Sequence, residues 1–275
     1  MFTWFFTMTQ SFKLWSVQKA IMPHVNNHGV RIYYELEGEG PPLILLHGLS
    51  EDLEWWRDYG YVESLRNNYK LILIDARGHG TSDKPHNPDT YKLELLVTDI
   101  VEVLNDLRIS KAHFLGFSMG GWIGFGIGKY ASERFYSLII GAMSPYKEPA
   151  KDAHLEYFKK EKDFIWADLE KRYGSKIMTP AIKARWMAND LEALIALISQ
   201  DWMLSLENVL PTITLPCLLF VGEADPFYPN VKKCAGSLPN ATFVSFPNLL
   251  HVETLYRSDL VIPCIKKFLA AVPQI

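Results

Sequence analysis

The residue best placed to carry chemistry in this chain is a serine framed by glycines. Gly116-Phe117-Ser118-Met119-Gly120 follows the apolar run Ala112 to Leu115 and precedes a segment that reads as helix. It matches the G-x-S-x-G pattern in the setting that pattern requires: a strand, a sharp turn and a helix. The turn strains the backbone at the serine, and the flanking glycines remove side chains that would clash where the chain reverses. The helix start behind it offers unpaired N–H groups and a positive dipole end to a developing oxyanion, the Met119 N–H among them.

A serine hydroxyl is a weak nucleophile at neutral pH, so it needs a base and a group that orients the base. Both occur downstream. Gly222-Glu223-Ala224-Asp225-Pro226 follows the apolar run Cys217 to Val221, and Pro247-Asn248-Leu249-Leu250-His251 follows the run Thr242 to Phe246. That order makes Ser118 the candidate nucleophile, His251 the base and Asp225 the orienting acid, with Glu223 as the rival acid. A second oxyanion donor is expected from the loop Leu45-Leu46-His47-Gly48-Leu49-Ser50, where the Leu49 N–H is the candidate. A plain tight turn at Gly48 is the alternative. Trp122, Trp186 and Trp202 are candidate walls of a substrate pocket, with packing in the core as the other reading.

The elements that must position these groups follow from periodicity. Val30 to Glu37 alternates apolar and polar residues as a half-buried strand near a sheet edge does. Leu43 to Leu46, Leu71 to Ile74, His113 to Phe117, Leu138 to Ala142, Cys217 to Val221 and Thr242 to Phe246 are nearly unbroken apolar runs, as suits strands buried on both faces. Helical spacing lies between most of them, as in Leu93 to Leu107. The fold class expected is therefore α/β, a doubly wound, mostly parallel sheet. Catalytic groups on loops at the carboxyl ends of such strands are what an open α/β sheet arranges at its crevice. No strand-like run appears between Ser144 and about Leu210, and this stretch is too long for a loop. Residues 144–210 are read as a helical cap inserted into a core formed by 22–143 and 211–275. A helix after Pro263, Cys264 to Val272, closes the chain. Residues 1–21, rich in Phe and Trp at the start, are expected to be a poorly ordered extension or the result of a start placed too early. Packing against the body and a targeting role are the other readings.

Composition narrows the class. Of 275 residues, 28 are Lys or Arg and 31 are Asp or Glu, a net charge of −3 with no long basic run, which argues against nucleic acid or an anionic membrane as partner. With 48% hydrophobic and 21% charged residues the chain falls outside disordered, collagen-like and coiled-coil classes. Cys217, Cys234 and Cys264 are far apart and lack zinc-ligand spacing; their odd number points to reduced thiols and a cytoplasmic setting.

Four separated motifs in order, His47-Gly48, Asp75-Ala76-Arg77-Gly78-His79-Gly80 with Ser82-Asp83, Gly116 to Gly120, and Gly222 to Asp225 with His251, resemble the α/β-hydrolase superfamily over Val30 to Val272. Within it the chain is similar to bacterial serine hydrolases that include enol-lactonases, arylesterases and cofactor-free perhydrolases, whose elbows often read Gly-Phe-Ser-Met-Gly-Gly. Epoxide hydrolases and haloalkane dehalogenases share the Arg-Gly-His-Gly and Ser-Asp-Lys-Pro wording but use an aspartate nucleophile, so Ser118 argues against both. Hydrolases of carbon–carbon bonds favour a glycine-rich oxyanion loop where this chain has Leu49-Ser50-Glu51. The resemblance places the orienting acid at Asp225 and assigns His47 and His79 structural roles. What it implies is a serine hydrolase acting on a small-molecule carboxylic ester or lactone through an acyl-enzyme, with no metal and no organic cofactor. Carbon–carbon bond hydrolysis or perhydrolysis by the same triad is the alternative, and a ligand receptor that has lost turnover is a third. Assembly as a homo-oligomer stays open.

Overall fold

The computed structural model describes residues 23–147, 151–200 and 205–273; the expected extension 1–21 lies outside the described residues. The apolar runs form one eight-stranded sheet. Its strands are β1 His24–Asn27, β2 Val30–Glu37, β3 Pro42–Leu46, β4 Lys70–Ile74, β5 Ala112–Phe117, β6 Phe135–Gly141, β7 Cys217–Gly222 and β8 Ala241–Phe246. They lie in the order β1-β2-β4-β3-β5-β6-β7-β8, antiparallel at β1/β2 and β2/β4 and parallel from β4 to β8. β1 and β2 are joined by His28 and Gly29, both at positive φ, the backbone that matches a two-residue turn to the twist of a hairpin.

The helices are α1 Trp55–Asp58, α2 Tyr61–Leu65, α3 Leu93–Asp106, α4 Met119–Tyr130, α5 Lys151–Phe158, α6 Lys162–Tyr173, α7 Pro180–Met187, α8 Leu191–Ser199, α9 Tyr228–Ala235, α10 His251–Tyr256 and α11 Ser258–Ala271. On α3 the buried Leu96, Ile100, Val103 and Leu104 recur at helical spacing, which gives it one apolar stripe to lay against β1, β2 and α4. α4 packs on β5 and β6, and every residue from Met119 to Gly128 is buried. Its glycines make that approach possible: a Cβ at Gly121 would sit 3.0 Å from Met143, and one at Gly126 would sit 2.7 Å from Leu93. The roughly 1 kcal/mol that a glycine costs inside a helix is thus exchanged for closer packing.

Among the described residues, the segment between β6 and β7 holds helices and no strand. It runs through α5 to α8, with α8 set against the turn Pro88–Tyr91. The charged stretch Asp152 to Lys171 divides into α5 and α6, and the apolar stretch from Leu191 gives α8. The last helix differs from expectation. It starts at Ser258 and runs through Pro263, because Val261, Ile262, Ile265 and Leu269 form a continuous buried face across the proline. Burial of those side chains outweighs the loss of one backbone hydrogen bond. No described helix is long and apolar enough to cross a membrane.

Candidate active site

β5 is buried at every position and ends in Ser118, whose φ of 52° and ψ of −113° lie in a region that costs a non-glycine residue roughly 1–3 kcal/mol. Two hydrogen bonds hold it there: the Ser118 N–H donates to the Gly141 carbonyl of β6 at 2.9 Å, and the Gly120 N–H donates to the His47 carbonyl after β3 at 3.1 Å. The glycines of the motif are required by proximity. A Cβ on Gly116 would lie 2.3 Å from the Gly120 carbonyl oxygen, and one on Gly120 would lie 2.2 Å from that of Leu46.

The candidate acid and base arrive from the ends of β7 and β8, the two strands beyond β6. His251 opens α10, its Nε2 2.9 Å from Ser118 Oγ and its Nδ1 2.7 Å from Asp225 Oδ2. Asp225 is 3% exposed, and its other oxygen accepts the Phe227 N–H at 2.9 Å. With that carboxylate ionised, Nδ1 carries the proton and Nε2 is free to accept the serine hydroxyl proton. The rings of Phe117 and Phe227, centred 5.1 and 5.4 Å from the imidazole, both pack beside it. Burial disfavours the imidazolium, but the charge and hydrogen bond of Asp225, with the charge of Glu51, outweigh it and hold the His251 pKa above its ordinary 6.5. Glu223, two residues before Asp225, is exposed and accepts the Ser245 hydroxyl at 2.8 Å. The turn therefore aims one carboxylate at the imidazole and the other at solvent.

The loop after β3 is tied from below. His47 donates from Nδ1 to the Gly48 carbonyl at 2.7 Å and accepts the Ala76 N–H on Nε2 at 3.1 Å. Burial holds its pKa down to about 4, so the ring is a neutral strut. The His79 ring lies tilted beside it, centred 5.1 Å away, and burial together with His47 keeps its pKa well below the ordinary value. Met119 is the first residue of α4, where an N–H has no partner inside the helix. Leu49, half-buried against the core, sits in the loop two residues past His47, whose carbonyl accepts from Gly120.

Glu51 is the residue that sequence reasoning missed. It is 7% exposed, and its Oε2 accepts the Gly48 N–H at 2.7 Å. Burial pushes its carboxyl up to about 7 from an ordinary 4.5, against the pull of the Gly48 N–H and the charge on His251. The only sequence signal is a spacing of three from Gly48, which any turn can show. Asp75 and Arg77 serve the adjoining loop. Asp75 accepts the Leu53 and Thr81 N–H groups at 2.9 and 2.7 Å, while Arg77 pairs with Asp99 at 2.6 Å, both side chains almost fully buried. Of the candidate pocket residues, Trp122 is 2% exposed in the hydrophobic core, Trp186 reaches Ser50, and Trp202 lies outside the described residues. Among the described residues no group of three or more His, Cys, Asp or Glu side chains is placed to hold a metal ion.

A family model for the α/β-hydrolase fold matches residues 41–141. The chain is 29% identical to a 3-oxoadipate enol-lactonase of Acinetobacter baylyi, over 73% of this chain and 78% of that one. A solved hydrolase structure from Pseudomonas aeruginosa superposes with a TM-score of 0.82 at 24% identity, covering 92% of this chain and 99% of its own. An enol-lactonase from Burkholderia xenovorans superposes with a TM-score of 0.80 at 22% identity, covering 90% and 100%. At those identities the solved structures speak for the fold.

Proposed function

The chain belongs to the α/β-hydrolase superfamily and is a hydrolase, and we propose that it cleaves a carboxylic ester or lactone by serine catalysis. The observation that carries this reading is the continuous relay from Ser118 Oγ through His251 to Asp225, at 2.9 and 2.7 Å. His251 Nε2 takes the hydroxyl proton as Ser118 Oγ adds to the substrate carbonyl. The negative charge that forms on the carbonyl oxygen is met by the N–H groups of Leu49 and Met119. Collapse of the tetrahedral adduct breaks the bond to the alkoxy oxygen, which leaves with the proton held by His251. Water then repeats the sequence on the acyl-enzyme and regenerates Ser118.

Asp225 keeps the imidazole in the productive tautomer throughout. The enol-lactonase relative supports cyclic esters within the substrate class, and the three free cysteines support a reducing, cytoplasmic setting. Labelling with a fluorophosphonate, followed by a panel of p-nitrophenyl esters and lactones, tests the proposal. One mole of probe per mole of protein is expected, and none after Ser118→Ala. Uptake by the Ser118→Ala protein at a single site would overturn the assignment.

A further inference from the structure

Ser50, the residue after the Leu49 donor, has a φ of 62°. A serine adopts that left-handed backbone only when its surroundings hold it. The turn Gly48–Glu51, closed by the Glu51 N–H on the Gly48 carbonyl at 3.4 Å, favours it, and two further ties come from the end of α7. Asn189 Nδ2 donates to the Ser50 carbonyl at 2.8 Å, and Trp186 Nε1 donates to Ser50 Oγ at 3.2 Å. Both donors stand at the C-terminal end of α7 and are 7% and 2% exposed.

That end of α7 is itself fixed. Lys162 Nζ, at the start of α6, donates to the Met187 and Asn189 carbonyls at 2.7 and 2.5 Å, placing a cation where helix carbonyls lack partners. Arg185 pairs with Asp52 at 3.1 Å and also with Asp58. Beside these ties lies a cavity of ≈ 320 Å³ bordered by Asp52, Asp75, Arg185 and Asn189. Polar ties thus join the end of α7 to the loop beside this cavity. Leu49 sits between a part held by the core, through His47, Gly48 and Glu51, and a part held by α7, through Ser50.

Resting on the serine-hydrolase reading, we infer that Trp186 and Asn189 are positioning residues for the oxyanion hole: they fix Ser50 and so aim the Leu49 N–H, and the hole is complete only while α7 is docked. Trp186 then acts through its indole N–H rather than as a wall for substrate. Asn189→Ala is expected to lower kcat about 10- to 100-fold, short of the full loss of an oxyanion donor, while KM stays within about threefold. Trp186→Phe keeps the ring and removes the donor; about a 3- to 10-fold loss of kcat is expected, and this variant carries the test if Asn189→Ala does not fold. The inhibition constant of an aryl trifluoromethyl ketone, whose oxyanion occupies the hole, should rise in proportion as kcat/KM falls. Ser50→Ala removes the acceptor of the Trp186 N–H and should lower kcat about as much as Trp186→Phe, with little further loss when the two are combined.

A raised KM at unchanged kcat, or fully additive losses for Ser50→Ala and Trp186→Phe, overturns the inference. The two readings fail separately. Absence of fluorophosphonate labelling at Ser118 in the unaltered protein removes the serine mechanism, whereas normal labelling with wild-type kcat in both variants removes only the positioning role.

Discussion

Replacing Glu51 with Gln tests the electrostatics of the site with little change of shape. The buried carboxyl holds its proton to about pH 7 in the folded chain, against about 4.5 when unfolded. Between those values the folded state binds more protons than the unfolded state, so stability falls as pH rises through the window. The displacement from 4.5 to about 7 corresponds to about 3 kcal/mol, at about 1.4 kcal/mol for each tenfold change in proton affinity. Glutamine can still accept the Gly48 N–H but has nothing to ionise. Urea unfolding of both proteins at pH 4.5 and pH 8 should therefore show the stability difference, variant minus wild type, growing by about 3 kcal/mol toward the higher pH. Because the Glu51 charge also helps raise the His251 pKa, the acid limb of kcat/KM should move to lower pH in the variant. Parallel pH dependences of stability would show that Glu51 ionises normally and refute the reasoning.

In the wild type, kcat/KM should rise with pH through a midpoint above 6.5, since only the neutral imidazole accepts the serine proton and Asp225 favours the charged form; a midpoint below 6.5 in a pH profile with chemistry limiting would contradict this. Asp225→Asn should lower kcat by about 10³ to 10⁴ with KM little changed, and Glu223→Gln by less than about tenfold, in steady-state assays; the reverse order would make Glu223 the orienting acid. Asp99→Ala should cost about 3–5 kcal/mol in urea unfolding, because it leaves the buried Arg77 guanidinium without its carboxylate.

The strands were legible because parallel-sheet positions such as Leu43 to Leu46 are apolar on both faces, a pattern that survives without tertiary information. The elbow was legible for a related reason: close approach to backbone at Gly116 and Gly120 admits one residue type, so geometry writes itself into composition. Trp186, Asn189 and Glu51 show the limit. Their partners Ser50 and Gly48 are polar or backbone groups in loops, and no periodicity links positions 139 residues apart, as Asn189 and Ser50 are. The buried pair of Arg77 is similar, since the sequence offers Asp75 nearby while the structure uses Asp99 on α3. The start of α11 was missed because a proline reads as a boundary when the burial behind it cannot be seen.

Ser118 and His251 are separated by 133 residues, with the base near the end of the chain. Both backbone anchors of the elbow, the carbonyls of His47 and Gly141, lie well before His251 in the sequence. On the ribosome the serine turn can thus acquire its strands long before its base exists. At about 5–20 residues per second the interval is about 7 to 27 s, during which the nascent serine has no proton acceptor and is chemically quiet. In the proposed mechanism an activated serine is therefore gained only once His251 has been added, and a product truncated before it carries no base for Ser118.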